Sequence, residues 1–298
     1  MEGRGPGCRA CVIATTQRLL TLDRQVGARA AARAAALAAR RPYQPLTDRE
    51  LCAAVAELLE VAGWILFDAE RQALAHRLNQ RALALARCCA DRATERLVLA
   101  NLSMQQAHIG HPRASYDTAA LGLAGGPTAR VGTVFAVRQA RALAMTGQRA
   151  AALRAFDLAN SLFLDGLSDR DPRWAWWVDQ EELDGHRGIT LAALGEWDKA
   201  IELLEAVSQD GGANSPAYRV LFSTELLSAL VGAGAWRQAG QVAERLMPYA
   251  NGIGSGRAVS SLRRTIRAVV SRTGTPVALR DAAHQLAVLL PPNPPEPS

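Results

Sequence analysis

The stretch Leu191-Ala-Ala-Leu-Gly195-Glu-Trp-Asp-Lys-Ala200-Ile-Glu-Leu-Leu-Glu-Ala-Val207 decides the fold. A helix-forming apolar run stops at a glycine, and a second, amphipathic run starts two residues later. Glycine ends a helix well because it enters the left-handed conformation without a Cβ clash. A small residue five positions on, Ala200, lets the second helix approach the first closely. The stretch reads as the turn and second arm of a helical hairpin.

The same arrangement recurs along the chain. It appears as Ala107-His-Ile-Gly110-His-Pro-Arg-Ala-Ser115, as Leu143-Ala-Met-Thr-Gly147-Gln-Arg-Ala-Ala-Ala152 and as Leu230-Val-Gly-Ala-Gly234-Ala-Trp-Arg-Gln-Ala239. Successive turn glycines from Gly110 to Gly234 lie 37, 48 and 39 residues apart. An earlier copy, Phe67-Asp-Ala-Glu70-Arg-Gln-Ala-Leu-Ala75, carries Glu70 in the glycine slot, and a degenerate one surrounds Gly274. A small residue precedes the slot by seven positions in four copies, as Gly63, Ser103, Ala140 and Gly188, whereas the fifth has Leu227. One hairpin cannot bury both its apolar faces, so the repeat calls for stacked neighbours.

Composition agrees. The 298 residues are 49% hydrophobic but only 5% aromatic, so alanine and leucine supply most of the apolar surface. Both lose little side-chain freedom in a helix, and no apolar alternation is long enough to build a sheet. The pattern predicts helices near 12–40, 48–66, 70–89, 92–109, 112–123, 129–146, 149–163, 174–194, 197–208, 216–233, 236–249, 256–271 and 276–290. Thr47 is the expected N-cap of the second, with Glu50 at its capping-box position, and Pro216 suits a first helical turn. The expected organisation is a basic coil and linker helix over 1–46, a repeat array over 47–290 and a disordered proline-rich tail over 291–298.

The formal charge of +6 resides wholly in the leading segment, where eight arginines face Glu2 and Asp23 within residues 1–46. The array itself is neutral, so the basic balance does not mark it as a nucleic-acid surface. Cys8 and Cys11 form a CxxC without the second pair that a zinc site needs. Cys52, Cys88 and Cys89 sit in helical patterns as small apolar residues, and five thiols without a disulfide framework fit a reducing cytoplasm. No metal, cofactor or membrane span is expected.

Taken together, these repeats resemble the tetratricopeptide family over roughly 47–290, although the spacing exceeds that family's repeat of about 34 residues. The resemblance implies an all-α tetratricopeptide-like helical-hairpin solenoid of five to six pairs. Three segments resemble a narrower group, the tetratricopeptide-like domain of actinobacterial helix-turn-helix transcriptional regulators. They are Ala56-Glu-Leu-Leu-Glu-Val-Ala-Gly-Trp-Ile-Leu-Phe-Asp-Ala-Glu-Arg-Gln-Ala-Leu-Ala75, Ala100-Asn-Leu-Ser-Met-Gln-Gln-Ala-His-Ile-Gly-His-Pro-Arg-Ala114 and Trp174-Ala-Trp-Trp-Val-Asp-Gln-Glu-Glu-Leu-Asp-Gly-His-Arg-Gly188. The DNA-binding part of those regulators needs several short helices, and residues 1–46 offer one Arg/Ala-rich helix, similar to the linker that follows it. The expectation is a sensor domain without its DNA-binding partner.

Catalytic motifs are absent: there is no GxSxG, HExxH or P-loop, and Asn251–Gly256 follows a helix rather than a strand. The expectation is not an enzyme. In solenoids of the family the first helix of each pair lines the concave face. That places Asn101, Gln105 and His108, then Arg138 and Arg141, then Trp177, Asp179, Glu182 and His186 on a polar groove. Residues 165–184 carry seven acids against Arg170 and Arg173, which suits a basic or amphipathic peptide. The expected partner is a peptide or protein in that groove, with a homodimer as a further form and DNA only through the basic leading helix or an upstream domain. A stand-alone assembly scaffold is the second reading.

Overall fold

The computed structural model describes residues 8–42, 48–209 and 216–292. Among them there are fourteen α-helices, two 3-10 helices and no strand. Thr47, the segment 1–7 and residues 293–298, all subjects of sequence expectations, lie outside the described residues. The chain divides into two compact units, the first comprising Met1–Ala142 with Arg154–Trp176 and the second Leu143–Leu153 with Trp177–Ser298.

In the first unit, α1 (Arg9–Val26) and α2 (Ala28–Ala39) replace the single leading helix expected over 12–40. Gly27 separates them at φ 78°, a backbone angle that alanine resists. Both helices pack on α3 (Arg49–Asp68), so the described part of the basic leading segment, 8–42, is folded against the first hairpin. Asp48 caps α3, its side chain accepting from Glu50 N at 2.9 Å. Helix α4 (Gln72–Cys88) pairs with α3, and α5 (Arg92–His108) pairs with α6 (Pro112–Leu123). Most of α7 (Ala129–Met145) and α8 (Arg149–Leu164) follows, then a 3-10 helix, Arg173–Trp177, where an α-helix was expected. Leu58, Leu59, Ile65, Leu66, Phe67 and Phe135 are fully buried at the centre.

In the second unit, α9 (Gln180–Ala193) pairs with α10 (Trp197–Ser208), α11 (Pro216–Ala233) with α12 (Trp236–Leu246), and α13 (Gly256–Ser271) with α14 (Val277–Leu289). A 3-10 helix, Met247–Gly252, ends the run expected to 249. One core joins these helices through Leu204, Phe222, Leu226, Leu230, Leu262 and Leu286. Pro216 is the first residue of α11, as its fixed φ favours.

Five hairpin turns share one hydrogen-bond pattern. At Glu70, Gly110, Gly147, Gly195 and Gly234 the slot residue's N–H returns to the carbonyl three residues back, and the next N–H to the carbonyl five back, as in Arg71 N to Leu66 O at 2.8 Å and Glu196 N to Leu191 O at 3.0 Å. This is the Schellman closure, which satisfies the last carbonyls of the first helix. Glu70 obeys it with φ 62°, and Ala90, between α4 and α5, does so with φ 54°. The small residue seven positions upstream also has a geometric reason. A Cβ on Gly63 would stand 2.7 Å from Asn79 Oδ1, and one on Gly188 would stand 2.7 Å from Leu204 Cγ and 3.3 Å from Ala200 O. In the second hairpin Ser103 Oγ donates to Ser115 O at 2.9 Å.

Candidate functional site

Asn101, Gln105 and His108 recur at helical spacing, so one face of α5 carries all three. Asn101 and Gln105 are buried, at 6% and 1% exposure. Their polar atoms turn toward the first hairpin rather than toward water. Asn101 Nδ2 donates to Glu60 Oε1 at 2.7 Å. Gln105 Nε2 donates to Gln72 O at 2.8 Å and to Gln72 Oε1 at 2.9 Å. Gln72 Nε2 in turn donates to Glu70 Oε2 at 2.8 Å, and His108 Nε2 lies 2.9 Å from Glu70 Oε1. The imidazole meets the Phe67 ring edge to face, with centroids 5.5 Å apart. A buried amide left without partners would cost about 1–3 kcal/mol, and this seam supplies them for the Asn101 and Gln105 nitrogens, whereas Gln105 Oε1 is buried without one.

Glu60 is the seam's deepest charged group. Burial pushes its carboxyl up to about 8, an effect that the Asn101 hydrogen bond opposes and Glu57 reinforces. It is therefore a protonated acid at neutral pH, a form that tolerates the apolar interior. Glu60, Glu70 and Gln72 are partners that sequence reading missed. The available signal was Glu60 itself, a single acid in the otherwise apolar stretch between Leu58 and Leu66.

The other expected groove residues are distributed differently. Arg138 is buried on α7 and Arg141 is half-buried one turn on. Trp177, Asp179, Glu182 and His186 belong to the second unit. Asp179 serves as the N-cap of α9, its Oδ1 accepting from Glu182 N at 2.8 Å. Glu182 is buried, and His186 Nε2 lies 3.1 Å from its Oε1. Where a wet groove was expected, these side chains are buried or half-buried. Asn101, Gln105 and His108 pair with the first hairpin, and Asp179, Glu182 and His186 pair within α9 and its cap.

Exposed apolar surface of the first unit concentrates elsewhere. Between the end of α8 and the 3-10 helix, Leu164, Leu167 and Trp176 are 81%, 78% and 82% exposed. Asp165, Asp169, Arg170 and Arg173 stand exposed among them. The segment is anchored, since Trp174 Nε1 donates to Ala93 O at 3.0 Å and Asp171 Oδ2 accepts from Ser168 N at 2.8 Å. Burying such side chains is worth about 1.5–3 kcal/mol each, so their exposure marks them as available to a partner.

Among the described residues no helix is long and apolar enough to cross a membrane, and no group of three or more His, Cys, Asp or Glu could hold a metal ion. The chain matches no known protein family and no curated protein.

Proposed function

We propose that the chain is a regulatory binding module of tetratricopeptide-like hairpins that takes a peptide or protein ligand, acting as the sensor part of a transcriptional regulator. The repeated Schellman turns and the close helix approaches at Gly63, Ser103 and Gly188 support the hairpin reading. The observation that carries ligand binding is the trio Leu164, Leu167 and Trp176, held out on a segment tied down at Trp174. Tryptophan is one of the side chains that anchor protein interfaces, and the two exposed leucines extend the apolar surface around it. Exposed Arg170 and Arg173 balance Asp165 and Asp169 next to the trio. The preference for a basic amphipathic ligand rests on the sequence stretch 165–184 as a whole, with seven acids against those two arginines.

Titrating the full chain with an arginine-rich amphipathic peptide, read by tryptophan fluorescence, tests this. Saturable binding that weakens about tenfold in Trp176→Ala supports the reading, at about 1.4 kcal/mol for that factor. Binding that is indifferent to Trp176, or no binding, contradicts it. A DNA-linked role would come through the arginines of α1 and α2, and salt-sensitive duplex binding lost on neutralising Arg29 and Arg33 tests that part separately.

A further inference from the structure

Cys8 and Cys11 open α1, and their position gives the pair a chemistry that the hairpin array does not use. Cys8 is the N-cap, with its Sγ accepting from Cys11 N at 3.4 Å. The two Sγ atoms lie 2.9 Å apart, neither is in a disulfide, and both are partly exposed. Residues three apart on a helix have Cα atoms close enough for a disulfide. Arg9 Nη1 lies 2.6 Å from Glu50 Oε2, an exposed ion pair between this end of α1 and α3. Both cysteines line an open groove of about 800 Å³ that also receives Thr15, Arg18, Gln25 and Arg41.

We propose that Cys8 and Cys11 are a reversible dithiol–disulfide site whose substrate is a small disulfide bearing carboxylates, bound in the groove beside Arg18 and Arg41. The Cys8 thiolate attacks one sulfur of the small disulfide, forms a mixed disulfide on Cys8 and expels one thiolate. Cys11 then gives up its proton, attacks Cys8 Sγ and expels the second thiolate. Two protein thiols are oxidised by two electrons, and one small disulfide is reduced to two thiols, which take up the two protons.

The assignment of Cys8 as the attacking thiol has a physical basis. Its thiolate accepts from the Cys11 thiol and from backbone N–H groups of the first turn, which holds it below the usual thiol range. Cys52 is the opposite case. It is buried, and burial together with the neighbouring Cys89 and Cys88 pushes it up to about 11. Cys89 is buried as well. The chain thus separates one reactive pair from inert thiols, with the exposed Cys88 as an internal comparison.

The test treats the reduced full chain with oxidised glutathione, or with neutral 2-hydroxyethyl disulfide, and follows intact mass and peptide maps. The expected product is a Cys8–Cys11 disulfide formed ahead of any change at Cys88. Cys11→Ser should stop at one glutathionyl group on Cys8, and Cys8→Ser should leave Cys11 unreacted over the same interval. Arg41→Ala should slow the glutathione reaction about threefold and leave the neutral disulfide unaffected. A helical circular dichroism spectrum unchanged in each variant excludes misfolding as the cause. Reaction at Cys88 first, or no Cys8–Cys11 disulfide with either reagent, overturns the site. Equal effects of Arg41→Ala on both reagents overturn the assigned substrate class.

Discussion

Glu70 Oε1 and His108 Nε2 meet at 2.9 Å, and Glu70 makes this contact from a left-handed backbone conformation, φ 62°. The residue that fills a glycine slot therefore also joins the first hairpin to the second. Left-handed backbone disfavours a residue with a Cβ by about 1–2 kcal/mol. At Glu70 hydrogen bonds to His108 and Gln72 oppose that cost. At Ala90, φ 54°, no side chain can.

The first prediction separates these two positions. Ala90→Gly should stabilise the fold by about 0.5–1 kcal/mol, because it relieves the backbone and removes no contact beyond a methyl group. Glu70→Gly relieves the same backbone but deprives His108 and Gln72 of a partner, and should be neutral or destabilising. Urea unfolding of both variants measures the contrast, and equal stabilisation by both would refute the role assigned to the Glu70 side chain.

Helix glycines should respond in opposite directions according to their neighbours. Alanine is better than glycine inside a helix by about 1 kcal/mol. A Cβ added to Gly240 on α12 would meet nothing within 4 Å, so Gly240→Ala should stabilise by about 1 kcal/mol. At Gly188 the added carbon would meet Leu204 Cγ at 2.7 Å, so Gly188→Ala should destabilise by about 1–3 kcal/mol. Thermal unfolding of the two variants shows whether the signs differ.

Glu60 makes stability depend on pH. Its carboxyl is raised to about 8 in the folded chain, from an ordinary value of 4.5. A raised folded value favours folding while the group is protonated. Its contribution is complete below about 4.5 and is lost as pH rises through about 8. The urea midpoint should fall across that window. Glu60→Gln keeps an oxygen for Asn101 Nδ2 and cannot ionise, so it should flatten the fall and leave the variant more stable than the parent at alkaline pH. An unchanged slope would mean that another group carries it.

The hairpins were legible because their signals are local. A glycine at the slot and a small residue seven positions earlier act within one turn and one helix contact. Together with Pro216 and the helical periodicity, the local pattern gives the boundaries of α10, α11 and α13 to the residue. Glu70 was legible too, since its slot was defined by the pattern around it. The break at Gly27 is hidden in the sequence because the Leu- and Arg-containing run before it and the alanine-rich run after it both carry helical propensity. Around Trp174–Trp177 the apolar content suggested an α-helix, whereas Asp179 caps α9 from an extended backbone and forces the start to Gln180. The seam was not legible. Asn101 finds Glu60 41 residues away and Gln105 finds Gln72 33 residues away, separations on which helical periodicity is silent. Polar residues on a helix face therefore read as a groove, when neighbouring helices had enclosed them.

The ligand-binding surface is the central functional claim, and hydrogen exchange with and without a saturating arginine-rich amphipathic peptide tests it most directly. Protection confined to residues 164–176, and needing about tenfold more peptide in Trp176→Ala, is the predicted result. Protection centred on Asn101, Gln105 and His108, with residues 164–176 unchanged, would place the ligand in the polar seam and contradict the account.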